Sequence, residues 1–166
     1  HFAEEIARQD YDFAMLGPLS IEAFTSACIV RILKDIHPNR PVILGGLHVS
    51  MTKDKVFPPD DLPKYYFYQE PPSRMREYLS WKGESTFDPN RWPKADYCVW
   101  NEGELITAAI VEGVDLKTGD WDYEVMPGGT VFVNGKMVPD LNDMPHMDRS
   151  LFNEDLEKQH PLLPEL

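Results

Sequence analysis

Apolar residues in this chain fall into short continuous runs separated by stretches of helical spacing. Phe2, Ala3, Ile6 and Ala7 predict an opening helix that breaks at Gln9-Asp10. Tyr11-Asp12-Phe13-Ala14-Met15-Leu16 is a short, mostly apolar run closed by Gly17-Pro18, which predicts a buried strand. Ile21, Phe24, Cys28, Ile32 and Ile36 recur about every three or four residues and predict an amphipathic helix of about four turns. Ser20 is its expected N-cap, Glu22 falls in the first turn where negative charge is favoured, and His37-Pro38-Asn39-Arg40 ends it. Pro41-Val42-Ile43-Leu44, closed by Gly45-Gly46, predicts a second strand, and Ala95-Asp96-Tyr97-Cys98-Val99-Trp100 a third. Gly103-Glu104 then opens a helix through Leu105, Ile106, Ala109 and Ile110 that stops at Gly113.

Strand, helix and strand with short turns make a βαβ unit, whose strands are parallel and whose crossover is right-handed. The expected fold is therefore α/β, a Rossmann-like (flavodoxin-like) parallel sheet with flanking helices. Near the C-terminus, Thr130-Val131-Phe132-Val133, Asn134-Gly135 and Lys136-Met137-Val138 predict a β-hairpin around a type I′ turn. The segment 51–94 interrupts the rhythm with many prolines and aromatics. A disordered linker is poor in aromatics, so an ordered insertion is expected there, with one short helix near Ser73–Trp81. Three parallel strands leave the sheet short, with an open edge at the first strand. The expected completion is a missing N-terminal strand–helix–strand of at least roughly 30 residues, the chain being a piece of a longer polypeptide. His1 rather than a methionine stands first, in keeping with that.

With 166 residues the chain is long enough for one cored domain. Sixteen Lys+Arg against 28 Asp+Glu give a net charge of -12, which repels nucleic-acid phosphate and anionic lipid, so neither is an expected partner. No apolar run reaches the roughly 20 residues that span a bilayer. Two cysteines, Cys28 and Cys98, build neither a disulfide framework nor a four-cysteine metal site, and the expected compartment is the cytoplasm.

In open parallel sheets the ligand crevice lies outside the carboxyl ends of the strands. Three loops end there: Gly17-Pro18-Leu19-Ser20, Gly45-Gly46-Leu47-His48 and Asn101-Glu102-Gly103-Glu104. Glycines let a ligand approach the backbone, though glycine after a strand also serves simply as a turn. His48 is either a donor to the ligand or the cap of a turn. Glu102 and Glu104 are a poor acid–base pair, since positions i and i+2 at a helix start do not face each other. Met144-Pro145-His146-Met147 is a weak metal signal, and no Ser-His-Asp set, Walker loop or Gly-x-Gly-x-x-Gly fingerprint occurs.

The three strand-plus-loop segments, 11–20, 41–48 and 95–104, resemble in their order the cobalamin (B12)-binding domain of B12-dependent radical S-adenosylmethionine enzymes. In that family the corresponding loops are a Ser-containing loop, Gly-Gly-x-His and Gly-Glu-Gly-Glu. Asp140-Leu141-Asn142-Asp143-Met144-Pro145-His146-Met147-Asp148-Arg149 likewise looks like the family's connector to its radical barrel. Gly17 stands where the family's usual serine falls, leaving Ser20 to supply a hydroxyl, Asn101 replaces a glycine, and the 51–94 insertion is longer than typical. Asp35-x-His37-x-x-Arg40 resembles the cobalt-ligating Asp-x-His-x-x-Gly of other cobalamin proteins. It lacks the last glycine and sits at the helix end away from the crevice, so it is not assigned as a ligand.

The resemblance implies a partial cobalamin-binding α/β domain over 1–115 and a hairpin with connector over 116–166, leading to a radical barrel of the same polypeptide. It implies cobalamin held by Gly17, Leu19, Ser20, Gly45, Gly46, His48, Glu102, Gly103 and Glu104, with the nucleotide tail in the crevice. It further implies a parent enzyme, a methyltransferase or a relative, that uses S-adenosylmethionine and a 4Fe-4S cluster. The Cys-x-x-x-Cys-x-x-Cys set that binds such a cluster is not in this chain, so the segment by itself would not be the enzyme. The alternative from another class is a cofactor-free flavodoxin-like receiver or interaction domain. A third possibility, an enzyme using Glu102, Glu104 and His48 directly, suffers from their unpromising mutual geometry.

Overall fold

The computed structural model describes residues 2–19, 22–52, 73–83, 94–126, 129–140 and 142. The elements are α1 (Phe2–Arg8), β1 (Ala14–Leu16), α2 (Ala23–Ile36), β2 (Val42–Leu44), α3 (Gly46–Thr52), α4 (Ser73–Trp81), β3 (Tyr97–Asn101), α5 (Glu104–Val111), β4 (Tyr123–Val125) and β5 (Val131–Gly135). The strands form one sheet in the order β1-β2-β3-β5-β4. The first three runs pair in parallel, Ala14 opposite Val42 and Ile43 opposite Tyr97, so the βαβ reading holds.

The apolar runs are continuous because the strands are covered on both faces. Val42, Leu44, Cys98 and Phe132 point to one side, where they meet α1, α2 and α4 through Ala3, Ile6, Cys28, Val30, Leu33 and the buried Tyr78 and Leu79. Ile43, Val99 and Val133 point to the other, against Ile106 and Ile110 of α5, with Leu116 and Trp121 packed alongside. Each fully buried Val, Leu or Ile contributes roughly 1.5–3 kcal/mol, so the two layers together far outweigh any single polar contact.

At the end of the sheet away from the strand carboxyl ends, polar contacts fasten α2 to the strands. Lys34 Nζ lies 3.0 Å from Asp96 Oδ2, and the same carboxylate accepts the Val42 N–H at 2.8 Å. Asp35 accepts hydrogen bonds from Arg31 Nε and from Tyr78 Oη, the latter at 2.8 Å, which anchors α4. His37 caps the end of α2 with its ring edge-on to Tyr11, and Arg40 lies over the Tyr11 ring and pairs with Asp10.

Three expectations are corrected. Asn134-Gly135 is not a hairpin turn: both residues lie in β5, which runs parallel to β3 from Tyr97↔Val131 to Asn101↔Gly135. The hairpin is made instead by β4 and β5, with Tyr123 opposite Val133, and closes where Met126 N–H donates to Thr130 O at 2.8 Å. The Val131–Val133 run is apolar because β5 is an interior strand, and interior position outweighs the turn statistics of Asn-Gly. The sheet consequently has four parallel strands rather than three, with β4 on one edge and β1 on the other. Third, the N-cap position of α2 belongs to Glu22, which makes no side-chain cap but accepts the Leu19 N–H at 3.1 Å, while Ser20 lies outside the described residues.

Within 51–94 the helix at Ser73–Trp81 is present, and most of the segment lies outside the described residues, as does most of the connector from 140 to 149. No described helix is long and apolar enough to cross a membrane.

A candidate ligand groove at the strand carboxyl ends

The loops after β1, β2 and β3 meet because their strands are neighbours in register. Gly45 N–H donates to Leu16 O at 2.9 Å and His48 N–H to Pro18 O at 3.1 Å, which ties the start of α3 to the loop after β1. Gly46 has φ +80, and a β-carbon there would lie 3.1 Å from Gly17 Cα. Only glycine combines that left-handed backbone with so close an approach. Gly17 itself faces open space.

Between the three loops runs a groove of about 390 Å³. Its floor is apolar, from Met15, Leu16, Ile43 and Val99, and its walls are the backbones of Gly17, Gly45, Gly46 and Gly103. The polar lining is Asn101, Glu102, Glu104 and Thr107. Both glutamates are exposed.

The third loop is set by Asn101, which adopts φ 64. Asparagine tolerates this left-handed conformation better than most residues. Its N–H donates to Ser50 Oγ of α3 at 3.0 Å, and its Nδ2 donates to Asn134 Oδ1 of β5 at 2.8 Å. Gly135 lets β5 lie flat against this loop, because a β-carbon there would fall on the Glu102 carbonyl. Gly103 caps α5 and accepts the Thr107 N–H at 2.8 Å, which brings Thr107 to the groove one turn in.

Six of the residues singled out from the sequence therefore share this groove: Gly17, Gly45, Gly46, Glu102, Gly103 and Glu104. Two lie elsewhere. His48 is only 4% exposed, on the inner face of α3 beside Val49, and its backbone N–H donates to Pro18 O of the loop after β1. Leu19 is half exposed and does not line the groove. Ser20 lies outside the described residues. Thr107 was legible as the position one helical turn beyond Gly103, and Asn101 as the polar residue closing a strand.

Other candidate chemistry does not converge. Asp35 and His37 sit at the end of α2, opposite the groove, and each has structural partners. Cys28 and Cys98 are buried free thiols, and burial pushes both up to about 12, which leaves them protonated at neutral pH. Among the described residues no group of three or more His, Cys, Asp or Glu could hold a metal ion. Met144-Pro145-His146-Met147 lies outside those residues.

Fold and groove together define an α/β protein with a ligand-sized cleft at the carboxyl edge of a mostly parallel sheet. No family model, curated protein or solved structure matches the chain.

Proposed function

We propose that this chain is a cobalamin-binding module of a B12-dependent radical S-adenosylmethionine enzyme, holding the corrin for an iron–sulfur barrel of the same polypeptide in a cytoplasmic methyl-transfer reaction. The observation that supports this reading is the convergence of Gly17, Gly45-Gly46 and Glu102-Gly103-Glu104 on one groove, since these residues carry the sequence resemblance. Their chemistry suits the group. Glycine walls admit a bulky planar ligand close to the backbone, and the apolar floor takes a flat face. Glu102, Glu104, Asn101 and Thr107 offer acceptors to the amide N–H groups that fringe a corrin. Cobalamin, when bound, would supply a transferable methyl group through its cobalt, while these residues bind and orient it. The described lining contains no histidine, so this groove would hold the ring without ligating the metal through an imidazole.

Titration of the full chain with hydroxocobalamin, read by its visible absorption bands and by equilibrium dialysis, tests this. A saturable band shift at equimolar cobalamin is expected, lost in Gly46→Val. The absence of both shift and retained cobalamin from the folded protein overturns the reading.

A further inference from the structure

A row of amide and carboxylate groups runs beside the groove. Asn101 closes β3 and lines the groove. Its Nδ2 donates to Asn134 Oδ1 of β5 at 2.8 Å, and Asn134 Nδ2 donates to Asp122 Oδ2, just before β4, at 3.4 Å. These contacts have a direction. A carboxylate accepts and does not donate, so the Asn134 amide turns its NH2 toward Asp122. Its oxygen then faces Asn101, which answers with its own NH2. Asn101 Oδ1 ends the row, and among the described residues nothing donates to it. The row is not what holds the strands together. Asn134 N–H already donates to Asp122 O at 2.8 Å, Asn134 stands opposite Trp100 in the β3–β5 ladder, and the Asn101 N–H is held by Ser50 Oγ. The side-chain contacts add polarity to an attachment made by the backbone.

We infer that Asp122 and Asn134 are positioning residues for the groove: they turn the Asn101 amide so that it offers an acceptor, and so select a ligand edge that donates. This rests on the cobalamin reading, in which that edge is a primary amide of the corrin periphery. Neither Asp122 nor Asn134 lines the groove, so both act through Asn101. Without the Asp122 carboxylate the two amides reverse freely, and Asn101 offers a donor as readily as an acceptor. With it, a ligand that carries a carboxylate in place of the amide meets Oδ1 with like polarity and forfeits a hydrogen bond. Sites built to bond a substrate N–H discriminate strongly against an analogue that lacks it.

Titrations of the full chain with hydroxocobalamin and with its isomeric monocarboxylates, each with one propionamide hydrolysed, test this through a ratio of affinities. In the parent chain the most discriminated isomer is expected to bind about tenfold more weakly than hydroxocobalamin. Asn134→Leu should cut that ratio to about threefold or less, and Asn101→Gly, which removes the amide and keeps the left-handed backbone, should do the same. Asn134→Leu added to Asn101→Gly should change nothing further, because its effect passes through the Asn101 amide. The exchange Asp122→Asn/Asn134→Asp again leaves an acceptor facing Asn101 and should restore the parent ratio, which a merely structural role would not predict. Should Asn134→Leu fail to fold by circular dichroism, Asp122→Ala, at an exposed position, carries the same test and should about halve the ratio. A parent that binds hydroxocobalamin without discriminating, a ratio that survives these substitutions, or an exchange that does not restore it overturns the inference and leaves the cobalamin reading standing. A parent chain that binds no corrinoid overturns both.

Discussion

The backbone of Gly46 rests on that of Gly17: a β-carbon at Gly46 would come within 3.1 Å of Gly17 Cα and 3.3 Å of its carbonyl oxygen. Two strand-end loops touch there without side chains, and that contact shapes one wall of the groove. Gly46→Ala combines a strained φ of +80 with this clash, so it should cost about 1–3 kcal/mol in urea unfolding. Gly17→Ala meets nothing within 4 Å and should change stability by less than about 0.5 kcal/mol. Equal losses in the two variants would show that the close approach is not what requires glycine at Gly46.

On the opposite wall, Asn101 holds a left-handed backbone with one hydrogen bond to α3 and one to β5. Asn101→Gly keeps the conformation and loses only the bond to Asn134, so about 1 kcal/mol is expected. Asn101→Val must enter a region that β-branched residues avoid and should cost about 2–4 kcal/mol. A valine variant as stable as the glycine variant would refute this account.

The strands and helices that the sequence pattern predicted well are those whose environment matches one period. Val42-Ile43-Leu44 is covered on both faces and reads as an unbroken apolar run, and α2 buries one stripe and shows a helical repeat. β5 is an apolar run of the same kind and was read as a strand, but Asn134-Gly135 matched hairpin chemistry and masked its last two residues and its parallel pairing with β3. Its antiparallel neighbour Tyr123–Val125 is a three-residue edge with little to signal it. α3 was hidden by the glycines that open it, and with it the fate of His48. In that one short helix Leu47 and Met51 stand outward at i and i+4, which turns His48 and Val49 into the core. Strand-end position alone could not reveal that rotation, whereas for Gly17, Gly45, Gly46, Glu102, Gly103 and Glu104 strand-end position was sufficient.

Burial of Cys28 and Cys98 makes stability fall on the alkaline side. Desolvation is the larger cause in both, and it pushes the folded thiols from the ordinary 9.0 to about 12. Unfolded thiols lose their protons above about pH 9 while the folded ones keep theirs, so the unfolded chain binds fewer protons and falls in free energy relative to the fold. Each thiol contributes stability that is complete below pH 9 and declines between about 9 and 12, by roughly 1.4 kcal/mol per pH unit in that window. Urea unfolding at pH 8 and pH 10 should show the loss, and a Cys28→Ala variant should show a smaller pH slope whatever its absolute stability. A slope identical to that of the parent would contradict the buried-thiol account.

At the other end of the sheet, Asp96 joins three elements: it accepts from Lys34 of α2 and from the Val42 N–H of β2, while its own backbone pairs with Val42 and Val131. Asp96→Ala leaves the Lys34 ammonium, 12% exposed, without its carboxylate, and leaves a strand N–H without an acceptor. A loss of about 2–4 kcal/mol is expected, because the Val42 N–H loses its acceptor and the Lys34 ammonium loses its counter-charge and keeps only the Arg40 carbonyl. Asp96→Asn keeps an acceptor for Val42 N–H and should lose about half as much. The double variant Lys34→Met/Asp96→Ala removes the stranded charge and should recover part of the loss, so a double variant no more stable than Asp96→Ala alone would show that the ammonium is not what makes the single substitution costly.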